Sequence, residues 1–261
     1  MTKDRVLVYI PNGLNTPELE ILLSQAQREI NKKRKVDILL CRGGNNYYCS
    51  KNIYSLKSIC FACQNRRTNG LKKINGNFNI IYTPKIKNKR LVKKIFDFDY
   101  TFDYKYKGVD NGLSAYSSYV ELTRDRDLDG NIANKTIKKL VNTSNQLTDY
   151  FYRLIKKKYR KIYMFNGRNN NYRPLLQVSK ILKKEIHNLE FSGDRNRIFD
   201  LRHFLPFDSN FIANEIENFW KKTKKKNLKL VDKYILMWEK FQTQKHKEFF
   251  YLDLIVYLIP I

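Results

Sequence analysis

Four cysteines stand at positions 41, 49, 60 and 63, the last two as Cys60-Phe-Ala-Cys63. Two thiolates at that spacing can take one face of a tetrahedral zinc ion, and Cys41 and Cys49 can close the other. Seven residues separate Cys41 from Cys49, wider than the usual two to four between paired ligands. A second use therefore stays open, with Cys41 ending a buried strand as a small hydrophobe and the rest as loop residues. Redox chemistry is a third. A catalytic thiol lacks an evident base, since only His187, His203 and His246 are available.

The second cluster is Phe165-Asn166-Gly167-Arg168, followed by Tyr172-Arg173-Pro174. Glycine lets backbone approach a ligand or take a positive φ. Arg168 and Arg173 carry planar guanidinium groups suited to phosphate or carboxylate. A helix opening near Tyr172 would turn its amide-rich end to the same anion. The plainer alternative is a βα turn with two solvated arginines.

A third polar stretch runs from Gly108 to Tyr119, with Thr123-Arg124-Asp125 beyond. Ser117 and Ser118 can hydrogen-bond sugar hydroxyls, although local capping is the commoner use of such residues. Glu190 closes a strand-like run, where a carboxylate can serve as general base or hydroxyl acceptor.

Both main clusters follow short apolar runs, and the elements around them explain that placement. Val6–Ile10 and Val36–Leu40 read as buried strands. Between them Pro11-Asn12-Gly13 turns the chain into a helix capped by Asn15 or Thr16, with Leu19, Leu22, Leu23, Ala26 and Ile30 at helical spacing. This is a βαβ unit. Strands are further expected at Phe78–Tyr82, Lys161–Phe165 and His187–Phe191. Helices are expected at Ile86–Phe96, Ala115–Leu122, Ile132–Lys157 and Tyr172–Lys184, while Tyr100–Lys107 settles on neither. The pattern predicts an α/β fold, a Rossmann-like, doubly wound, mostly parallel sheet, over residues 1–209. From residue 210 the character changes to two amphipathic helices and an apolar terminal run, Phe249–Ile261. That run ends abruptly, so residues 210–261 read as a helical extension and the start of a truncated second domain. Ligands of such sheets sit beyond the carboxyl ends of the strands, where the clusters above lie.

Composition narrows the class of partner. The 261 residues are 42% hydrophobic and 14% aromatic, enough for a core, and carry 51 Lys+Arg against 25 Asp+Glu, a net +26. Such a field attracts phosphates on nucleic acid, acidic lipid or a nucleotide-linked substrate. Dispersed lysine is also the ordinary solvated face of many proteins. No secretory leader and no run of about 20 apolar residues appears, so a soluble cytoplasmic protein with reduced cysteines is expected. The first βα turn has one glycine and lacks GxGxxG, and no P-loop is present. Neither an NAD site nor an ATP site is expected.

In order along the chain, an opening strand–turn–helix precedes Cys41, Cys49–Asn52, Cys60, Cys63 and Arg66. Gly108, Ser117-Ser118 and Thr123-Arg124-Asp125 come next, then Asn166-Gly167-Arg168 and Arg173-Pro174. This series resembles the N-terminal half of bacterial capsule and surface-polysaccharide biosynthesis proteins of the GT-B glycosyltransferase type, over roughly residues 5–210. The resemblance implies sugar transfer from a nucleotide-sugar donor to a glycan or lipid-linked acceptor, with the protein peripheral at the inner membrane. It also implies that this half faces the acceptor, with Asn166, Gly167, Arg168 and Arg173, then Glu190, as binding residues. No catalytic residue is assigned. Two other readings stand beside it: a basic nucleic-acid-binding protein with a structural zinc, and a non-catalytic scaffold.

Overall fold

The computed structural model describes residues 5–43, 49–52, 54–86, 97–128, 130–156, 158–191, 198–206 and 208–223. Six strands form one sheet: β1 (Arg5–Ile10), β2 (Lys35–Leu40), β3 (Asn79–Tyr82), β4 (Lys161–Phe165), β5 (Glu185–Phe191) and β6 (Ile198–Arg202). Their order is β3-β2-β1-β4-β5-β6. The pairs β1–β2, β1–β4, β2–β3 and β4–β5 are all parallel. With helices flanking the sheet, this is the α/β Rossmann-like architecture, and its strand order reverses between β1 and β4.

β1 and β4 form where β-branched and aromatic residues run without polar interruption, because a parallel sheet is covered on both faces. Val6, Leu7, Val8, Tyr9 and Ile10 are all buried. One charge interrupts the pattern in β2. Asp37 is buried but fully engaged: Arg5 donates to both its oxygens at 2.8 Å and the Tyr159 hydroxyl donates at 2.6 Å. Burial opposes its charge, yet these donors hold its carboxyl below the usual range.

The helices are α1 (Glu18–Asn31), α2 (Lys57–Leu71), α3 (Phe98–Asp103), α4 (Asn111–Thr123), α5 (Asn131–Ile155), α6 (Arg173–Ile181) and α7 (Ser209–Thr223). Leu7, Tyr9, Leu39, Ile162 and Met164 join Leu147, Phe151 and Ile155 of α5 and Leu175, Leu176 and Val178 of α6 in one core. A smaller apolar cluster between α4 and α5 contains Ala115, Ile137, Leu140 and Val141. None of the helices among the described residues is long and apolar enough to cross a membrane.

Several expectations change. The stretch carrying Cys60 and Cys63, read as loop, lies in helix α2, so these two cysteines sit one helical turn apart. Arg67 is the only buried residue of that helix, so no apolar stripe announced it. The caps expected from Asn15 or Thr16 are not used. Pro17 takes that position without a side-chain bond, and the Asn15 amide turns to Glu18 instead, at 3.3 Å. Tyr100–Lys107 divides into the end of α3 and a turn closed by a bridge between Tyr106 and Val109. β6 was not anticipated. The helix expected at Ile86–Phe96 lies, beyond Ile86, outside the described residues, as do the second C-terminal helix and the terminal strand.

The chain divides into two compact units. One comprises Met1–Glu190 and Asp200–Leu205 and carries most of the sheet. The other comprises Phe191–Phe199 and Pro206–Ile261, so it includes a stretch that a single boundary at residue 209 would assign to the first.

Candidate functional site

Loops at the carboxyl ends of β1, β2 and β4, together with Glu190 near the end of β5, build a polar rim on the first unit. The turn after β1 is where a nucleotide-binding domain of this architecture holds phosphate, by glycine and helix terminus. Here both devices are occupied by the protein itself. A Cβ on Gly13 would lie 2.5 Å from the Cys63 carbonyl oxygen and 2.5 Å from Arg67 Cγ. That glycine therefore admits helix α2. At the start of α1, Glu18 is only 3% exposed. The Tyr172 hydroxyl donates to its carboxylate, as do Asn12 and Asn15, each at 3.3 Å. Burial pushes the Glu18 carboxyl up to about 7, and these donors and the Lys51 charge limit the rise.

Across the strand reversal, β4 ends in a tight turn. Asn166 has φ 60° and Gly167 φ 79°. Gly167 is constrained twice, since a Cβ there would meet Leu176 at 2.9 Å and the Asn188 amide at 3.0 Å. The Asn166 amide donates to Glu190 Oε2 at 2.7 Å, and its carbonyl accepts from Asn188 at 2.9 Å. The Arg168 amide donates back to Asn166 Oδ1 at 3.2 Å. Asn166, Gly167, Arg168 and Glu190, separated in sequence, are thus brought together.

Arg168 also joins a second centre that the sequence did not announce. Glu121, near the end of α4, accepts from Lys51, from Arg168 at 3.3 Å and from Asn169 at 2.8 Å. Burial alone would raise its carboxyl. The hydrogen bond and charge of Lys51, with Asn169 and Arg168, hold it below its ordinary value instead. Three consecutive asparagines, Asn169, Asn170 and Asn171, are buried here; that run was the signal available in the sequence.

The remaining candidates are placed differently. Arg173 is 9% exposed and its guanidinium grips Asp110 with two bonds, one of them 2.7 Å. Its charge is therefore neutralised within the fold. Ser118 is buried, donating to the Ser114 carbonyl at 2.8 Å and accepting from the Asn170 amide at 2.9 Å. It ties α4 to the loop after β4. Ser117 is half-buried on the same helix.

All four cysteines line one cleft between the turn after β1, the end of β2 and α2, with Asn12 and Arg67 on its wall. They are free thiols. Burial pushes Cys41 up to about 11 and raises Cys49 and Cys63 as well, the reverse of what a nucleophilic thiol requires. Lys51 lines the same cleft and reaches Glu121, connecting the cysteines to the rim around Arg168. Among the described residues no group of three His, Cys, Asp or Glu is arranged to hold a metal ion as it stands.

Comparisons with protein-family models, with curated proteins and with solved structures return no match for this chain.

Proposed function

We propose that this chain is the acceptor-side part of a GT-B type glycosyltransferase of cell-surface polysaccharide synthesis, with the nucleotide-sugar donor held by a second domain or partner. The observation that carries the reading is the filled first turn. Glu18 occupies the positive end of α1 and Gly13 receives α2, so the place used for a nucleotide's diphosphate in this architecture is taken by the chain's own groups. The rim opposite offers carboxamides and carboxylates, Asn166, Glu190, Asn169 and Glu121, whose donors and acceptors suit the hydroxyls of a sugar.

In this reading Asn166 and Glu190 hold an acceptor hydroxyl, and Glu190 accepts its proton as the oxygen attacks the donor's anomeric carbon and the bond from that carbon to the nucleotide's phosphate oxygen breaks, the nucleotide leaving with the electron pair. Arg168 orients a neighbouring hydroxyl or an acidic sugar. The net charge of +26 draws the protein to the phosphates of a lipid-linked acceptor and to an acidic membrane surface. Calorimetric titration with oligosaccharides and, separately, with nucleotide sugars tests the assignment. The expected result is oligosaccharide binding without comparable affinity for nucleotide sugars. Tighter binding of nucleotide sugars, weakened by substitutions in the turn 11–18, would reverse it.

A further inference from the structure

The cysteine cleft does not follow from the transferase reading, and three observations about it converge. First, an N–H donor is aimed at three of the four sulfurs. The Gly43 amide meets Cys41 Sγ at 3.1 Å, the Gly13 amide meets Cys63 Sγ at 3.1 Å and the Asn52 carboxamide meets Cys60 Sγ at 3.2 Å. For Cys41 the donor is the amide two residues on. Such donors stabilise negative charge on sulfur and gain little from a neutral thiol.

Second, Arg67 is 3% exposed and has no carboxylate partner among the described residues. Its guanidinium caps strand-end carbonyls only, Ile10 and Pro11 at 3.3 Å and Cys41 at 2.9 Å, and its Nε has no partner. A buried cation without an anion is costly, and the groups beside it that can become anionic are the thiols. Third, the cleft encloses a cavity of about 20 Å³, room for roughly one water-sized occupant.

We propose that Cys41, Cys49, Cys60 and Cys63 form a tetrathiolate site for one zinc ion. The ion displaces four thiol protons, giving a centre of charge −2 that Arg67 and the three N–H donors offset. Deprotonation by the metal removes the conflict between buried neutral thiols and donors pointed at them. Rotation of side chains that already line one cavity closes the ligands onto the ion. Asn52 fixes the geometry around it: its carboxamide also bonds the Leu56 carbonyl at 2.9 Å and accepts from the Leu56 amide at 2.8 Å, locking the turn after Cys49 to the start of α2.

The test is elemental analysis of the full chain, expressed without a histidine tag and purified under reducing conditions without chelator. About one zinc per chain is expected, and less than a tenth of that in Cys60→Ser/Cys63→Ser. Because that variant can fail to fold, the stripped wild-type chain is also titrated with Co²⁺. A tetrahedral visible spectrum with thiolate-to-cobalt charge transfer, appearing with release of about four protons and then abolished by one equivalent of zinc as cobalt is displaced, supports the site. Iron with acid-labile sulfide would overturn the zinc assignment. Absence of both bound metal and the cobalt spectrum would overturn the site altogether. None of these readouts depends on glycan binding, so failure here leaves the transferase reading standing and the reverse also holds.

Discussion

The Tyr172 hydroxyl donates to the Glu18 carboxylate from 154 residues away, joining the loops that flank the strand reversal. Tyr172 is itself fixed by packing edge-on against Tyr9, whose hydroxyl donates to the Asn171 carbonyl at 2.8 Å. The two halves of the doubly wound sheet are thereby held at the point where their first turns diverge.

Burial of Glu18, which the Tyr172 bond only partly offsets, makes stability depend on pH in an unusual direction. The folded-state pKa of Glu18, about 7, lies above the ordinary 4.5, so the folded state binds the proton more tightly. Its contribution is complete below about pH 4.5 and is lost as pH rises through 7, on the order of 3 kcal/mol in all. Urea denaturation of Glu18→Gln should show less loss of stability between pH 5.5 and 8 than the parent. Tyr172→Phe, which removes a donor to the charged form, should be more destabilising at pH 8 than at pH 5.5. Identical pH profiles for parent and both variants would refute the coupling.

Glu121 is predicted to be a hub whose loss leaves two cations facing each other. Glu121→Ala should cost about 1–3 kcal/mol at neutral pH, measured by chemical denaturation. Its depressed pKa means that the stabilisation is present above the ordinary carboxylate range and lost as pH falls through the folded-state value. The difference between parent and variant should therefore shrink in acid. A constant difference would show that packing, not charge, is what Glu121 supplies.

At Gly167 the positive φ and the crowding by Leu176 and Asn188 act together. Gly167→Ala should destabilise by about 1–3 kcal/mol. Gly130→Ala, where an added Cβ meets nothing within 4 Å, should change stability far less. Thermal unfolding of the two variants side by side makes the comparison, and equal effects would contradict it.

Most of the sheet was legible because its buried parallel strands are written as largely apolar runs; Lys161–Phe165 matches β4 residue for residue. Helix α2 was not, since its faces differ little in polarity and its one buried side chain is an arginine. β6 is short and mixed, Ile-Phe-Asp-Leu-Arg, with no alternation to mark it. That Asn166, Gly167, Arg168 and Glu190 lie together could be read from the sequence, because the ends of adjacent parallel strands must be neighbours. Glu18 could not. Near the start of a helix it reads as a solvated favourable charge, and only Tyr172, distant in sequence, reveals its burial. The same blindness to distant partners made Arg173 look available, when Asp110 already neutralises it.

The most direct test of the acceptor-side reading is saturation-transfer NMR of the full chain with a panel of bacterial surface oligosaccharides, repeated on Asn166→Ala, Glu190→Gln and, as a control for bulk charge, Lys135→Ala. Saturation of at least one oligosaccharide, with affinity falling about tenfold in the first two variants and unchanged in the third, is the predicted result. No saturation across the panel, or equal loss in all three variants, would contradict it.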